Sequence, residues 1–375
     1  MIVTKAVFRD FRNVRDEEIG FSPTVNVLWG SNAQGKSNIL EGIWYFARGR
    51  SFRGAHDRDM IRQGYPFSRI GVSVEREGEK YPVELTAELP REGRKRLLRN
   101  GAPLSSVSEM IGNLRAVLFC PSHLSVVNGG PAERRSFLDV AISQLDPGYI
   151  RDLSLYRASY SHRAALLRLF ASGRDVSSAE WEVWAEHMSD AASRIAAARY
   201  EYSLKLSRHV VSFFEEMTGG AEIPSISYKS HLLGGAEDGY DPAEGKKLLF
   251  EKLTANVERE AAAGSTLWGI HKDDLRLSLD GSDARLFASQ GQQRSFALAM
   301  KLSEGEISRE KSGEYPVFLL DDVFSELDSS RRKYITERLL GRQIIVTSCE
   351  PSVVPEGAGA ARFIEIRNGS VAGVR

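Results

Sequence analysis

Eight consecutive residues, Gly30-Ser31-Asn32-Ala33-Gln34-Gly35-Lys36-Ser37, fit the pattern G-x-x-x-x-G-K-[ST], and their types describe a grip on phosphate. Glycines let backbone N–H groups wrap an anion, the lysine reaches the outer phosphates, and the final hydroxyl can ligate Mg²⁺. Far downstream, Leu319-Leu320-Asp321-Asp322-Val323-Phe324-Ser325-Glu326-Leu327-Asp328 places two carboxylates at the end of an apolar run. Such a pair suits metal holding by Asp321 and water positioning by Asp322. A third segment, Ser289-Gln290-Gly291-Gln292-Gln293-Arg294, opens a run through Phe296, Leu298, Met300 and Leu302. A serine and a glycine at a helix start can present a hydroxyl, N–H groups and a dipole to an anion, although a capped helix explains the segment equally well.

Positioning these groups requires particular elements. Val25, Val27, Leu28 and Trp29 make an apolar strand before Gly30, and Ile39, Leu40, Ile43 and Phe46 have helical spacing after Ser37. Strand, loop and helix in that order aim a helix N-terminus at the anion. Val317-Phe318-Leu319-Leu320 reads as the buried strand carrying the carboxylates. The first thirty residues read as two strands leading into the loop, and residues 70–119 as a β-layer. From Pro131 the pattern becomes helical, and a seam from Trp181 to Met217 implies one long helix closed by Gly219-Gly220. Leu153, Tyr156, Tyr160, Leu167 and Phe170 form a face that can pack antiparallel against it. Residues 232–239 read as a loop. Asn368-Gly369 turns the chain into a last strand. The expected architecture is α/β: an ATPase head in two parts, 1–125 and 263–375, with a helical domain inserted at 126–262.

The bulk properties exclude several classes. Only two cysteines, Cys120 and Cys349, are present and no C-x-x-C, so neither a disulfide framework nor a zinc site is indicated; both are expected to be buried. No run is long enough to span a bilayer, and the N-terminus alternates like a strand, which points to a cytoplasmic protein without a membrane. The net charge is +0, so any contact with nucleic acid must come from local clusters. Six arginines between positions 48 and 69, and five basic residues against one acidic in Arg91–Arg99, are candidates, the second also reading as a hairpin tip with Asn100-Gly101 as its turn.

Taken together the motifs resemble the ABC-type ATPases of the SMC and Rad50 class, and more closely the RecF family of bacterial recombination and replication-repair proteins. The likeness is carried by Asn32–Asn38, Gly49-Arg50-Ser51-Phe52-Arg53, Gly130–Asp139, His271-Lys272-Asp273-Asp274-Leu275, SQGQQR and LLDDVFSELD, which span the chain. The resemblance implies an ABC-type head with an antiparallel β-layer and inserted helical domain. It implies ATP and Mg²⁺ as ligands, and an ATP-dependent homodimer that closes on double-stranded or gapped DNA and assists recombinase loading with RecR and RecO-like mediators. By motif, Gly30 to Ser37 hold the nucleotide, Lys36 acts on the outer phosphates, and Ser37 and Asp321 hold the metal. Ser289, with Gly291 and Gln292, contacts the γ-phosphate of a second copy's nucleotide. Asp322 stands where many of these ATPases have Glu, which implies slow hydrolysis suited to a switch. Thr347-Ser348-Cys349 stand where many carry a sensor His, and Phe119–His123 holds no Gln, so neither γ-phosphate sensor is assigned. His271, beside Asp273 and Asp274, either contributes near the nucleotide or packs.

The main alternative is the ATPase subunit of a membrane transporter, which shares the three motifs. In that class the serine-glycine segment follows the phosphate loop far more closely than the 252 residues between Ser37 and Ser289. A long-armed SMC protein is disfavoured by the short helical seam, and a small-molecule kinase leaves SQGQQR without a role.

Overall fold

Apolar residues near the N-terminus bury Val3, Ala6 and Phe8 in the first strand, β1 (Ile2–Phe11), where a bulge between Val3 and Lys5 shifts the alternation by one residue. The structure is a computed structural model that describes residues 1–232, 239–351 and 361–375. Strand β1 pairs antiparallel with β2 (Val14–Gly20) through a turn in which Arg12 has φ 54. The segment before Gly30 therefore holds three strands where two were expected, because a turn with no glycine or proline gives no break in the sequence. Next come β3 (Val25–Trp29), α1 (Lys36–Arg48), β4 (Phe67–Glu75), β5 (Val83–Pro90), β6 (Arg96–Arg99) and β7 (Ala102–Pro103). The β6–β7 turn is Asn100-Gly101, with φ 51 and 79, the left-handed pair a two-residue hairpin needs. A one-turn helix, α2 (Val107–Met110), precedes β8 (Ala116–Phe119).

The described chain divides into two compact units, Met1–His123 with Met300–Arg375, and Leu124–Ala299. The second unit starts with the short α3 (Ser125–Asn128), then α4 (Pro131–Ser143) and α5 (Pro147–Ala171), each with proline at its start, where the missing N–H costs nothing. Helix α6 (Ser178–Thr218) runs 41 residues, opened by a capping box of Ser177 with Glu180 and closed by Gly219 at φ 65. Helices α5 and α6 are antiparallel: Leu166 and Leu167 pack on Trp181 at one end, while Tyr149 meets Arg199 at the other. Strand β9 (Pro224–Lys229), α7 (Pro242–Ala255) and α8 (Val257–Ala263) follow. The loop expected at 232–239 falls largely outside the described residues.

Strand β10 (Asp274–Leu279) pairs with β9 and with β11 (Ser282–Asp283), and α9 (Ala284–Phe287) follows. The second unit thus extends past the expected boundary at 262, since β10 finds its partner in β9, whose six residues alternate buried and exposed. Helix α10 (Gln290–Ser312) begins in the second unit and ends in the first. The chain returns through β12 (Val317–Asp321), α11 (Ser329–Leu339), β13 (Ile344–Ser348), β14 (Ala361–Arg367) and β15 (Ser370–Val374). The first unit has two sheets: an antiparallel one in the order β2-β1-β4-β5-β6-β7, and another in the order β15-β14-β3-β13-β12-β8 whose last five strands are parallel. Buried on both faces, β12 reads as an unbroken apolar run.

Candidate nucleotide site

Strand β3 delivers the chain into the phosphate loop at Gly30, whose φ of 146 and position against β14 exclude any side chain; a Cβ there would lie 2.4 Å from the Ile366 carbonyl oxygen. Gly35 has φ 109 and lies against Asn13, and Ala33 takes φ 63. These angles curl the loop around the start of α1, which has no side-chain cap and no carboxylate in its first turn. The dipole at that N-terminus is therefore available to an anion. Lys36 is buried and donates from Nζ to the carbonyls of Gly30 at 2.6 Å and Ser31 at 2.7 Å, while Ser31, Asn32 and Ala33 are exposed.

Neighbouring strands hold the loop in place. Asn13 donates from Nδ2 to the Gln34 carbonyl at 3.1 Å and accepts from Asn38 at 2.8 Å. The backbone N–H groups of Asn368 and Gly369 donate to Gln34 at 2.6 and 2.8 Å. Behind α1, fully buried Glu41 accepts from Arg12 at 2.9 and 3.0 Å and from Ser51 at 2.5 Å. Arg53 donates to Asn38 at 2.7 Å, and Arg62 to the Asn13 carbonyl at 3.0 Å. Two members of the first arginine cluster thus brace the loop.

The carboxylates meet the loop across one strand. In the order β3-β13-β12, the C-terminal ends of β3 and β12 flank β13, which sets Gly30 and Asp321 at the same sheet edge, roughly 10 Å apart by strand spacing. Such an edge is where parallel sheets bind ligands. Thr347, the register partner of Asp321, donates from Oγ1 to Asp321 Oδ1 at 3.0 Å and accepts from the Asp322 N–H at 2.9 Å. One hydroxyl thereby holds the carboxylate of Asp321 and the backbone of Asp322, a contact that sequence reasoning left unassigned although Thr347 directly follows the apolar run. Asp322 is exposed and held at φ 54. Asp321 is 8% exposed and ends on the same side of the sheet as the loop that leads to Ser37, and a carboxylate with a hydroxyl supplies the oxygen ligands that suit Mg²⁺, which takes few protein ligands and several from phosphate and water. Cys120 is buried as expected, but Cys349 is exposed just beyond β13, where its Sγ donates to Asn32 Oδ1 at 3.0 Å. The strand ends before it, so the apolar run does not carry its burial.

Ser289, Gly291 and Gln292 lie in the second unit, at the start of α10. Ser289 Oγ accepts from the Gln292 N–H at 3.2 Å while Gln292 Oε1 accepts from the Ser289 N–H at 2.7 Å, a reciprocal cap with Ser289 exposed. Gln292 also donates to Glu222 at 2.9 Å. His271, in the same unit, packs: Tyr156 shares a 2.7 Å bond with its Nδ1, Nε2 lies 3.1 Å from the Thr266 carbonyl, and burial pushes its pKa down to about 4. Its neighbours are spent in ion pairs, Asp274 with Arg134 and Asp273 with Arg199.

Comparison with known proteins places the chain in a family. The family model described as RecF/RecN/SMC N terminal domain matches residues 2–370. The chain is 36% identical over 349 residues to the DNA replication and repair protein RecF of Acetivibrio thermocellus, covering 92% of this chain and 93% of the relative. It is 36% identical over 343 residues to that of Clostridioides difficile, covering 92% and 90%. Among solved structures, the recombination mediator protein RecF with ATP in the RecFOR pathway is similar at a TM-score of 0.91 and 32% identity, covering 98% of this chain and 96% of that one. A Pyrococcus furiosus Smc head domain is similar at a TM-score of 0.57 and 17% identity, a likeness of fold.

Proposed function

The chain belongs to the RecF family within the RecF/RecN/SMC class, and from that premise we propose how this ATP-binding protein of DNA repair and recombination works. The observation that carries the reading is the shared sheet edge: the phosphate loop and Asp321 flank β13, and Thr347 holds the Asp321 carboxylate and the Asp322 backbone there. ATP lies along the loop with its phosphates at the N-terminus of α1. Lys36 leaves the carbonyls of Gly30 and Ser31 to pair with the outer phosphates. Ser37 and Asp321 would hold Mg²⁺, which would supply neutralisation of phosphate charge when bound. Asp322 orients the attacking water, and its short side chain reaches less far than a Glu would, so turnover is slow.

Ser289, with Gly291 and Gln292, caps the γ-phosphate of a second copy. Its exposed hydroxyl accepts from Gln292 and so keeps its proton for an incoming anion. ATP then favours the dimer because only the dimer offers these additional contacts. The dimer closes on double-stranded or gapped DNA in the cytoplasm, and hydrolysis resets it, with RecR and RecO-like proteins as mediator partners. Nothing favours the transporter alternative: the full-length relatives are repair proteins, and among the described residues no helix is long and apolar enough to cross a membrane. The test is light scattering and DNA-binding anisotropy with ATP, with ADP and without nucleotide. A dimer that binds duplex DNA only with ATP is expected; monomeric, nucleotide-independent behaviour would rule the switch out.

A further inference from the structure

The second unit contains a cavity of about 410 Å³ along α4, α5 and α6 that uses none of the nucleotide-site residues. We propose that it binds a nucleotide unit, a flat base with its phosphate, supplied either as a free nucleotide or as an unpaired nucleotide of a DNA strand. The proposal draws only on residues of this unit, so it stands apart from the ATP-driven dimer.

Leu153, Tyr156, Tyr160 and Ile270 give the cavity an apolar and partly aromatic wall. That wall is set in place by hydrogen bonds. The Thr266 carbonyl can only accept, so His271 carries its proton on Nε2, and Nδ1 accepts from the Tyr156 hydroxyl. Burial keeps the ring of His271 neutral, and Tyr160 sits edge-on to it with centroids 4.9 Å apart. Among the described residues the lining has a single carboxylate, Asp139, and that charge is already answered: Arg199 donates to it at 2.9 Å and Tyr149 at 2.5 Å. The cationic excess falls on Arg135 and Arg157. Arg135 spends one donor, on the Asp273 carbonyl at 2.8 Å, while Arg157 is exposed and its guanidinium pairs with no described residue.

Guanidinium forks match phosphate oxygens, and tyrosine rings offer stacking surfaces to any base. The volume lies within the range of small-ligand pockets, about 300–1,000 Å³. An acidic peptide would satisfy the charges but would also need main-chain partners, and the helices that line the cavity have theirs occupied.

The full-length protein can be titrated with thymidine 5′-monophosphate by calorimetry, and with a labelled oligothymidylate and a duplex of the same length by anisotropy. At least one nucleotide probe is expected to bind, with a loss of at least about tenfold in both Arg157→Glu and Tyr160→Leu. Tyr160→Phe keeps the ring and should bind like the unaltered protein. All three variants should hold ATP normally and keep the unaltered melting curve. Binding of the monophosphate alone assigns the pocket to free nucleotides; binding of the oligothymidylate over the duplex, weakened by the same variants, assigns it to an unpaired strand. The proposal fails if neither nucleotide probe binds, if Arg157→Glu leaves binding unchanged, or if an acidic aromatic peptide occupies the pocket in preference to both.

Discussion

At the scale of single residues, Thr347 decides more than its type suggests, because one buried hydroxyl donates to Asp321 and accepts from the N–H of Asp322. Thr347→Val keeps the shape and removes both bonds, leaving a backbone N–H without its partner at a cost of about 1–3 kcal/mol. Hydrolysis measured in single turnover should fall at least about tenfold while ATP affinity changes little, since the phosphate loop is untouched. An unchanged hydrolysis rate would remove Thr347 from any positioning role. Lys36→Met should abolish ATP binding in a filter assay, as no other buried cation is placed in the loop. His271 carries a pH signature. Burial lowers its pKa to about 4, against about 6.5 when unfolded, so the unfolded chain binds the extra proton in that interval. The stability due to its neutral form is complete above about pH 6.5 and is lost as pH falls towards 4. Urea midpoints at pH 7 and pH 5 should differ less in His271→Gln than in the unaltered protein, and equal differences would count against this assignment.

At the scale of elements, the helical unit is fastened by a contact that sequence patterns do not reveal. Arg163 on α5 and Glu260 on α8 are both fully buried and joined at 2.6 and 2.9 Å, with Arg163 also donating to the Leu253 carbonyl. Glu260→Ala strands the guanidinium in the interior and should cost about 3–5 kcal/mol, read from urea unfolding. A loss below about 1 kcal/mol would mean that water reaches Arg163. Helix α6 was legible in advance: apolar spacing from Trp181 to Met217 and the glycines after it match Ser178–Thr218. Strand β9 was not, because six alternating residues with a proline and two serines carry too little apolar signal beside long helices. Without β9 the sequence reading had no partner for β10 and grouped it with the residues that follow. The basic clusters were visible as charge, yet Arg53 and Arg62 brace the phosphate loop and Lys95 pairs with Asp57 at 2.9 Å. Charge counts alone do not separate such internal ties from cations free to meet DNA.

At the scale of the whole molecule, the proposed ATP site is complete only when a second copy supplies Ser289. Ser289→Arg should therefore bind ATP as a monomer yet fail to dimerise, because a bulky cation replaces the small hydroxyl that would meet the γ-phosphate. Normal ATP-dependent dimerisation of this variant in light scattering would sink the two-copy site. Salt separates the DNA contact from the nucleotide contact: duplex affinity should fall steeply between about 50 and 200 mM salt, whereas an affinity that barely moves would argue against phosphate-backbone binding. The sequence by itself determined the candidates, since Gly30 to Ser37, Asp321 and Ser289 stand out by type and spacing, and the strand, loop and helix expected around Gly30 to Ser37 form there as local elements. It also determined the long helix, whose period repeats over many turns. Only the tertiary structure decided that β13 lies between the strands leading to Gly30 and to Asp321, that Thr347 bonds the Asp321 carboxylate and the Asp322 backbone, that Asn13 and Gln34 prop the loop, and that His271 is packed. Each of these depends on strand order or on a pairing distant along the chain, and neither leaves a periodic trace in the residues themselves.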